Sequence, residues 1–304
     1  MKVLVTGATG LVGKKLLDYL LNQGYTVHIL THSKNKISTF KDINVKSFYW
    51  NVEDEILDFD SLDGVEAIIH LAGATISKRW TKSYKDQIVT SRVNGIELLY
   101  DSIKKIPNHQ IKHFVTASAI GVYPNSLTEK YDETYSGNSN FFLAQVVSEW
   151  ETAANLFSTL NIKVSKLRTG LVLDANSGAF PLMALPVKYF LGTNFGSGKQ
   201  IYSWIHVDDL VRMYAHVLKN QIEGVFNAVA STPVSSAIFM ETIAKNLKTK
   251  IWLPNVPSWI LKLAMGEMAH LLIDGQYVSN KKIKETDFVL VYDDLDLAIK
   301  SCLT

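Results

Sequence analysis

Cysteine is nearly absent: Cys302 is the single one in 304 residues. No disulfide can form within the chain, which fits a reducing compartment and makes a cytoplasmic protein the expectation. Long apolar runs are missing too. No stretch reaches the roughly 18 uncharged apolar residues that a membrane span needs. Lys14, Lys15 and Asp18 interrupt the N-terminal run that a secretory signal could use. Neither charge is in excess, since 31 basic residues against 29 acidic ones leave +2. That balance points to neither nucleic acid nor an anionic membrane as partner. Internal repeats and low-complexity segments are also lacking. What remains, 47% hydrophobic and 20% charged residues, describes a globular protein with one large core or two smaller lobes.

Residues 3–13 carry the clearest chemical statement, Val-Leu-Val-Thr-Gly-Ala-Thr-Gly-Leu-Val-Gly. An apolar run ends in a glycine-rich turn, and Leu16, Leu17, Leu20 and Leu21 then follow at helical spacing. Gly7 turns the chain, Gly10 admits a ligand close to the backbone, and Gly13 lets helix and strand approach. Backbone N–H groups at such a helix start, helped by its dipole, hold a dinucleotide pyrophosphate. Thr9, Gly10, Leu11, Val12 and Gly13 are therefore cofactor-binding candidates together with Gly7.

Strand-like runs at 2–6, 26–31, 46–50, 66–71, 112–117 and 162–168 alternate with helical patterns near 11–24, 82–106, 141–160, 207–219 and 236–248. The runs are continuously apolar rather than alternating, as in parallel strands covered on both faces. This predicts an α/β protein with a doubly wound parallel Rossmann sheet. After about residue 170, glycine and proline break the rhythm. The expected division is a dinucleotide-binding domain over 1–170, to which 207–230 returns, and a smaller C-terminal substrate lobe over most of 171–304.

The chain resembles the extended short-chain dehydrogenase/reductases, and within them the atypical epimerase family proteins of uncertain substrate, related to the NAD-dependent epimerases and dehydratases. The resemblance rests on the glycine loop, His70-Leu71-Ala72-Gly73, Lys78-Arg79-Trp80-Thr81 and Ser91-Arg92-Val93-Asn94. It continues through Ala117-Ser118-Ala119-Ile120-Gly121-Val122-Tyr123, Glu149-Trp150-Glu151 and Leu167-Arg168-Thr169-Gly170. Towards the C-terminus it includes Gly196-Ser197-Gly198-Lys199-Gln200, Ser203-Trp204-Ile205-His206-Val207-Asp208-Asp209-Leu210, Gly266-Glu267-Met268 and Gly275-Gln276. It implies a nicotinamide cofactor and a small-molecule substrate. In many relatives the helices matching 82–106 and 141–160 form a subunit interface, so the resemblance allows a homodimer.

At the end of the second strand an acid suits the ribose hydroxyl of NAD, and basic or donor residues suit the phosphate of NADP. The sequence has Thr31-His32-Ser33-Lys34 there and no acid until Asp42, which favours NADP over NAD. Asn51 is the matching place for adenine contacts, and Leu71, Ala72 and Gly73 leave room beside the cofactor. The resemblance gives Asn94 a role in supporting the active-site backbone and places Arg168 on the cofactor side.

Members of the superfamily pair a serine with Tyr-x-x-x-Lys, whose lysine lowers the tyrosine pKa for proton exchange. Ser118 occupies the serine position. Aligned on Glu149, the tyrosine falls at Phe141 and the lysine at Gln145, which carry neither an exchangeable proton nor a charge. Tyr123, five residues after Ser118, is the substitute acid; the alternative is an aromatic packed against the lid. Arg79 and Trp80 form a candidate substrate clamp. Tyr202 stands where sugar-nucleotide epimerases carry a diphosphate-binding arginine, and with Trp204 it completes the substrate-side candidates. Asp208 and Asp209 read as an aspartate capping and complementing a helix that starts near 209 rather than as a metal site, and no metal is expected. The function expected is NADP-dependent hydride transfer, or else NADP(H) binding without turnover.

Overall fold

The computed structural model describes residues 1–33, 40, 42–137 and 141–304. Strand and helix alternate from the start. β1 (Lys2–Thr6) leads into α1 (Leu11–Asn22), followed by β2 (Thr26–Thr31), β3 (Val45–Asn51), the short β4 (Ile56–Leu57) and β5 (Ala67–His70). Then come α2 (Lys82–Lys104), β6 (His113–Ala119), the short β7 (Lys130–Tyr131), α3 (Phe142–Asn155) and β8 (Lys163–Thr169). β9 (Leu171–Leu173), α4 (Phe180–Lys188), β10 (Ile201–Tyr202) and β11 (Trp204–His206) precede α5 (Val207–Lys219) and β12 (Gly224–Ala228). The remainder holds β13 (Val234–Ser235), α6 (Ser236–Asn246), α7 (Ser258–Met265), α8 (His270–Ile273), β14 (Tyr277–Val278), α9 (Lys281–Lys284) and α10 (Leu295–Leu303).

Eight strands form the central sheet in the order β12-β8-β6-β5-β1-β2-β3-β4. All neighbours are parallel except β3 and β4. Successive residues of β1 show why the sheet is covered twice. Val3 and Val5 face one layer, with Leu16, Leu17 and Leu20 of α1 and Met213, Tyr214 and Val217 of α5. Leu4 faces the other, with Ile96 and Leu99 of α2 and Trp150 and Ala154 of α3. The winding reverses between β1 and β5. That reversal opens a crevice at the carboxyl ends of these strands, where α/β sheets bind ligands.

A further core lies beyond the sheet. Met183 and Val187 of α4, Phe239 and Ile243 of α6 and Ile299 of α10 close around Tyr202 and Trp204. α5 begins at Val207, where the 207–219 pattern places it, and its cap is His206, whose side chain accepts from the Asp208 N–H. Asp209 does not cap the helix: it is buried and takes the N–H groups of Val291 and Tyr292 and an N–H of Arg212. It ties the C-terminal segment to α5.

Candidate active site

The glycine turn closes as its sequence requires. Gly7 has a φ of +73°, and a Cβ there would lie 2.7 Å from the backbone of Leu71. A Cβ on Gly13 would collide with the Gly7 carbonyl oxygen. The turn therefore rests directly on the Leu71-Ala72 stretch leaving β5. The Thr6 hydroxyl joins the two, accepting the N–H groups of Leu71 and Ala72 at 3.2 Å each. It also hydrogen-bonds His70 Nδ1, 2.9 Å away. Burial, and then the nearby Arg92 charge, push His70 down to about 3, so the imidazole is neutral. Gly10 caps α1 without a side-chain bond, and no acid stands in the first turn. The helix start thus keeps its electropositive end open, with Thr9 and Gly10 exposed and Leu11 and Val12 half-buried beside them. These residues fit a pyrophosphate.

At the adenosine end, Thr31 is buried and its hydroxyl accepts the Ser33 N–H, while His32 is exposed. Lys34 lies outside the described residues. Asn51 does not reach outward: its side chain accepts the Glu53 N–H and donates to Asp54 Oδ2 at 2.6 Å. A local turn has spent both ends of that amide.

The sequence candidates for chemistry fall into a buried network. Ser118 pairs in register with Arg168 across β6 and β8. Ser118 Oγ donates to Glu151 Oε1 at 2.6 Å, and Arg168 grips both oxygens of the same carboxylate at 2.8 Å. Arg168 Nη1 also donates to the Tyr123 hydroxyl, which donates to Asn227 Oδ1 at 2.8 Å. Tyr123 is 1% exposed, and burial raises its pKa against the opposing pull of Arg168. The phenol is therefore sealed and fully partnered, which removes it from the place over the crevice expected of a proton donor. Glu151, absent from the expected site, is the centre of this network. Burial pushes its carboxyl up, but the Arg168 bonds and charge outweigh that and hold it below its ordinary value.

Phe141 occupies the N-cap of α3. His270 of the C-terminal segment stands against its ring, the centroids 5.3 Å apart at 65°. His270 Nδ1 is 2.7 Å from Asp274 Oδ2, an i,i+4 pair on and just beyond α8. Gln276 donates to the Tyr123 carbonyl and Gly275 to Asn125 Oδ1, so this segment covers the loop that follows β6.

Three of the four residues expected on the substrate side are buried with other partners. Trp80 is buried with Phe142 and Val146 and donates to the Ile76 carbonyl, while its neighbour Arg79 is exposed. Tyr202 donates to the Leu272 carbonyl and Trp204 to the Thr232 carbonyl from inside the core closed by α4, α6 and α10. Side chains alternate along a strand, and the chain turns these two inward. Asn94 is exposed on α2. Two residues earlier on α2, Arg92 lies beside Gly73, where a Cβ would meet its guanidinium carbon at 3.2 Å. Arg92 stacks 5.0 Å over the Trp150 ring and donates from Nη1 to the Ile88 carbonyl. Burial lowers its pKa to about 10. Among the described residues no carboxylate pairs with it, so its remaining N–H groups offer a site for an anion next to the glycine turn. No group of three His, Cys, Asp or Glu side chains among the described residues is placed to hold a metal.

Comparison with known proteins agrees with this geometry. The profile of the NAD-dependent epimerase/dehydratase family matches residues 3–228, and a domain of unknown function (DUF1731) matches residues 256–302. An epimerase family protein of Staphylococcus saprophyticus is 37% identical over 300 residues, covering 98% of this chain and 97% of its own. The crystal structure of human epimerase family protein SDR39U1 with NADPH has a TM-score of 0.87 at 29% identity, covering 100% of this chain and 99% of its own. A nucleoside-diphosphate sugar epimerase of Corynebacterium glutamicum has a TM-score of 0.79 at 27% identity, covering 100% of this chain and 58% of its own. The chain belongs to the NAD-dependent epimerase/dehydratase family.

Proposed function

We propose that the protein is an NADP(H)-dependent oxidoreductase or epimerase-like enzyme, acting at a carbinol or carbonyl carbon of a small substrate. One observation carries the reading: an uncapped α1 start and a glycine turn sit against the Leu71-Ala72 backbone at the sheet's reversal point. The N–H groups of Leu11, Val12 and Gly13 would hold the pyrophosphate. His32 and Ser33 would face the adenosine ribose, where the absence of an acid favours a phosphate. The NADPH bound by the human relative supports the same choice. The nicotinamide, when bound, supplies hydride exchange with the substrate carbon.

The proton at the substrate oxygen is assigned to His270. Its Nδ1 is engaged by Asp274, which orients the ring and leaves Nε2 for proton transfer beside Phe141, where the superfamily carries tyrosine. Ser118 is committed to Glu151 and positions the network rather than the substrate. Arg92 holds an anionic group of substrate or cofactor. The segments beyond residue 170, apart from α5 and β12, form the substrate lobe.

Calorimetry with NADPH and NADH, followed by NADPH turnover over a panel of carbonyl compounds, tests the reading. NADPH binds the more tightly, and at least one carbonyl is reduced. Absence of heat with both cofactors would sink it. A second reading, NADP(H) binding without turnover, is favoured by Phe141 and Gln145 at the tyrosine and lysine positions. Tight NADPH binding with no hydride exchange, joined to a cofactor-dependent protein partner, decides for it.

A further inference from the structure

The net charge of +2 conceals a strong local asymmetry. Residues 175–207 and 242–266 contain no aspartate or glutamate, yet carry six lysines. The same two segments hold the densest exposed apolar surface of the described chain. Leu182 is 69% exposed, Trp252 65%, Trp259 67% and Leu263 76%. Tyr189, Phe190 and Leu191, directly after α4, are exposed as well.

The segments form one surface. Trp252 Nε1 donates to the Phe190 carbonyl, Thr193 Oγ1 to the Pro254 carbonyl, and Phe195 bridges Val256. The chain leaving α4 therefore runs beside the chain entering α7. On α4, Met183, Ala184 and Val187 are buried, and Leu182, Leu185 and Tyr189 form a second apolar face turned outward. On α7, Trp259 and Leu263 are one turn apart and share an exposed face. Lys188, Lys248, Lys250 and Lys262 stand exposed among them, with no carboxylate partner among the described residues. An exposed apolar patch of this kind needs a cover.

We propose that this face docks on an anionic lipid surface. Tryptophan, phenylalanine and leucine inserting at the headgroup level, with lysines around them and no acid between, are the composition of an interfacial anchor. A second copy of the chain related by a two-fold axis is the alternative cover, and it would set these unpaired lysines against one another. Docking is peripheral, since no helix among the described residues is long and apolar enough to cross a membrane. The patch would bring the C-terminal lobe to the bilayer and leave the crevice at the β1 and β5 ends free for cofactor.

Co-sedimentation of the full chain with phosphatidylcholine vesicles, and with phosphatidylcholine–phosphatidylglycerol vesicles, tests the proposal. The protein sediments with the mixed vesicles and is released by salt, but stays in solution with phosphatidylcholine alone. Lys188→Gln with Lys262→Gln lowers the partition roughly 30-fold, and Trp259→Ser with Leu263→Ser lowers it at least about tenfold. Both double variants keep the parent's melting temperature, because the replaced side chains are exposed. Failure to bind anionic vesicles at low salt overturns the proposal, as does equal binding to both vesicle types. So does a dimer in sedimentation velocity that Trp259→Ser with Leu263→Ser dissociates, which would make a second copy the occupant.

Discussion

Glu151 and Arg168 meet between α3 and β8 as a bidentate pair, two N–H···O contacts of 2.8 Å with both side chains nearly sealed from water. The pair ties a helix of one layer to a central strand, and it orients Ser118 and Tyr123 as well. Removing one member strands the other. Glu151→Gln leaves a buried guanidinium without its counter-charge, and destabilisation of about 3–5 kcal/mol is expected by chemical denaturation. Glu151→Leu with Arg168→Met recovers much of that loss, because neither charge is then left alone. A double variant as unstable as the single one would show that the network matters through its geometry.

The same pair has a pH signature. The Glu151 carboxyl titrates below its ordinary 4.5 in the folded protein. The stabilisation it supplies is complete above about pH 4.5 and disappears as pH falls through the lower folded value. His70 works in the same direction from a higher starting point, because burial lowers it from 6.5 to about 3. The unfolded chain takes up its proton first, so stability falls by up to about 1.4 kcal/mol per pH unit from near 6.5 down towards 3. Melting temperatures from pH 7 to 4 follow this, and His70→Phe has the shallower slope. An unchanged slope in that variant would remove His70 from the account.

Much of this was legible in the sequence, and the exceptions share a cause. The strands, the helices and the glycine turn follow from local periodicity and from backbone conformations that favour glycine. Gly13 could be assigned because the carbonyl it packs against, that of Gly7, is only six residues away. Tyr202 and Trp204 could not, because the elements that bury them, α6 and α10, arrive much later in the sequence. Asn94 and Arg92 differ by two positions, which on a helix reverses the face presented. Glu151 stood in a recognised motif, but its partner Arg168 is 17 residues away on a strand. The lysine-rich apolar face vanished into an average charge near zero.

Arg92 offers a sharper test of the site. A structural arginine and a ligand-binding one predict opposite outcomes for Arg92→Met. Without an acid partner, the buried charge costs stability. The substitution keeps the packing over Trp150, so the melting temperature holds or rises. Affinity for NADPH or for an anionic substrate drops about 10–100-fold, the worth of a charged hydrogen bond or two. A large loss of stability with unchanged affinity would reassign Arg92 to the scaffold.

The glycine turn makes the strictest demand on sequence. Gly7→Ala places a Cβ against the Leu71 backbone at a φ of +73°, and Gly13→Ala drives one into the Gly7 carbonyl. Neither backbone can yield without moving the other. A loss of about 1–3 kcal/mol in stability, with NADPH binding abolished, is expected for each by thermal shift and calorimetry. Gly24→Ala is the control, since it also has positive φ but nothing within 4 Å of its Cβ. It costs stability through strain alone and binds NADPH as the parent does.

His270 decides how the missing tyrosine is replaced. His270→Asn keeps the polar contact with Asp274 but removes the transferable proton, and a fall in kcat of about 10²–10⁴-fold is expected with little change in NADPH affinity. Asp274→Asn leaves the ring in place and weakens the contact that orients it. kcat then falls, but less than in His270→Asn. Turnover unaffected by either substitution would exclude the pair from the chemistry. Because NADPH binding is measured separately, that result would still leave the cofactor site standing.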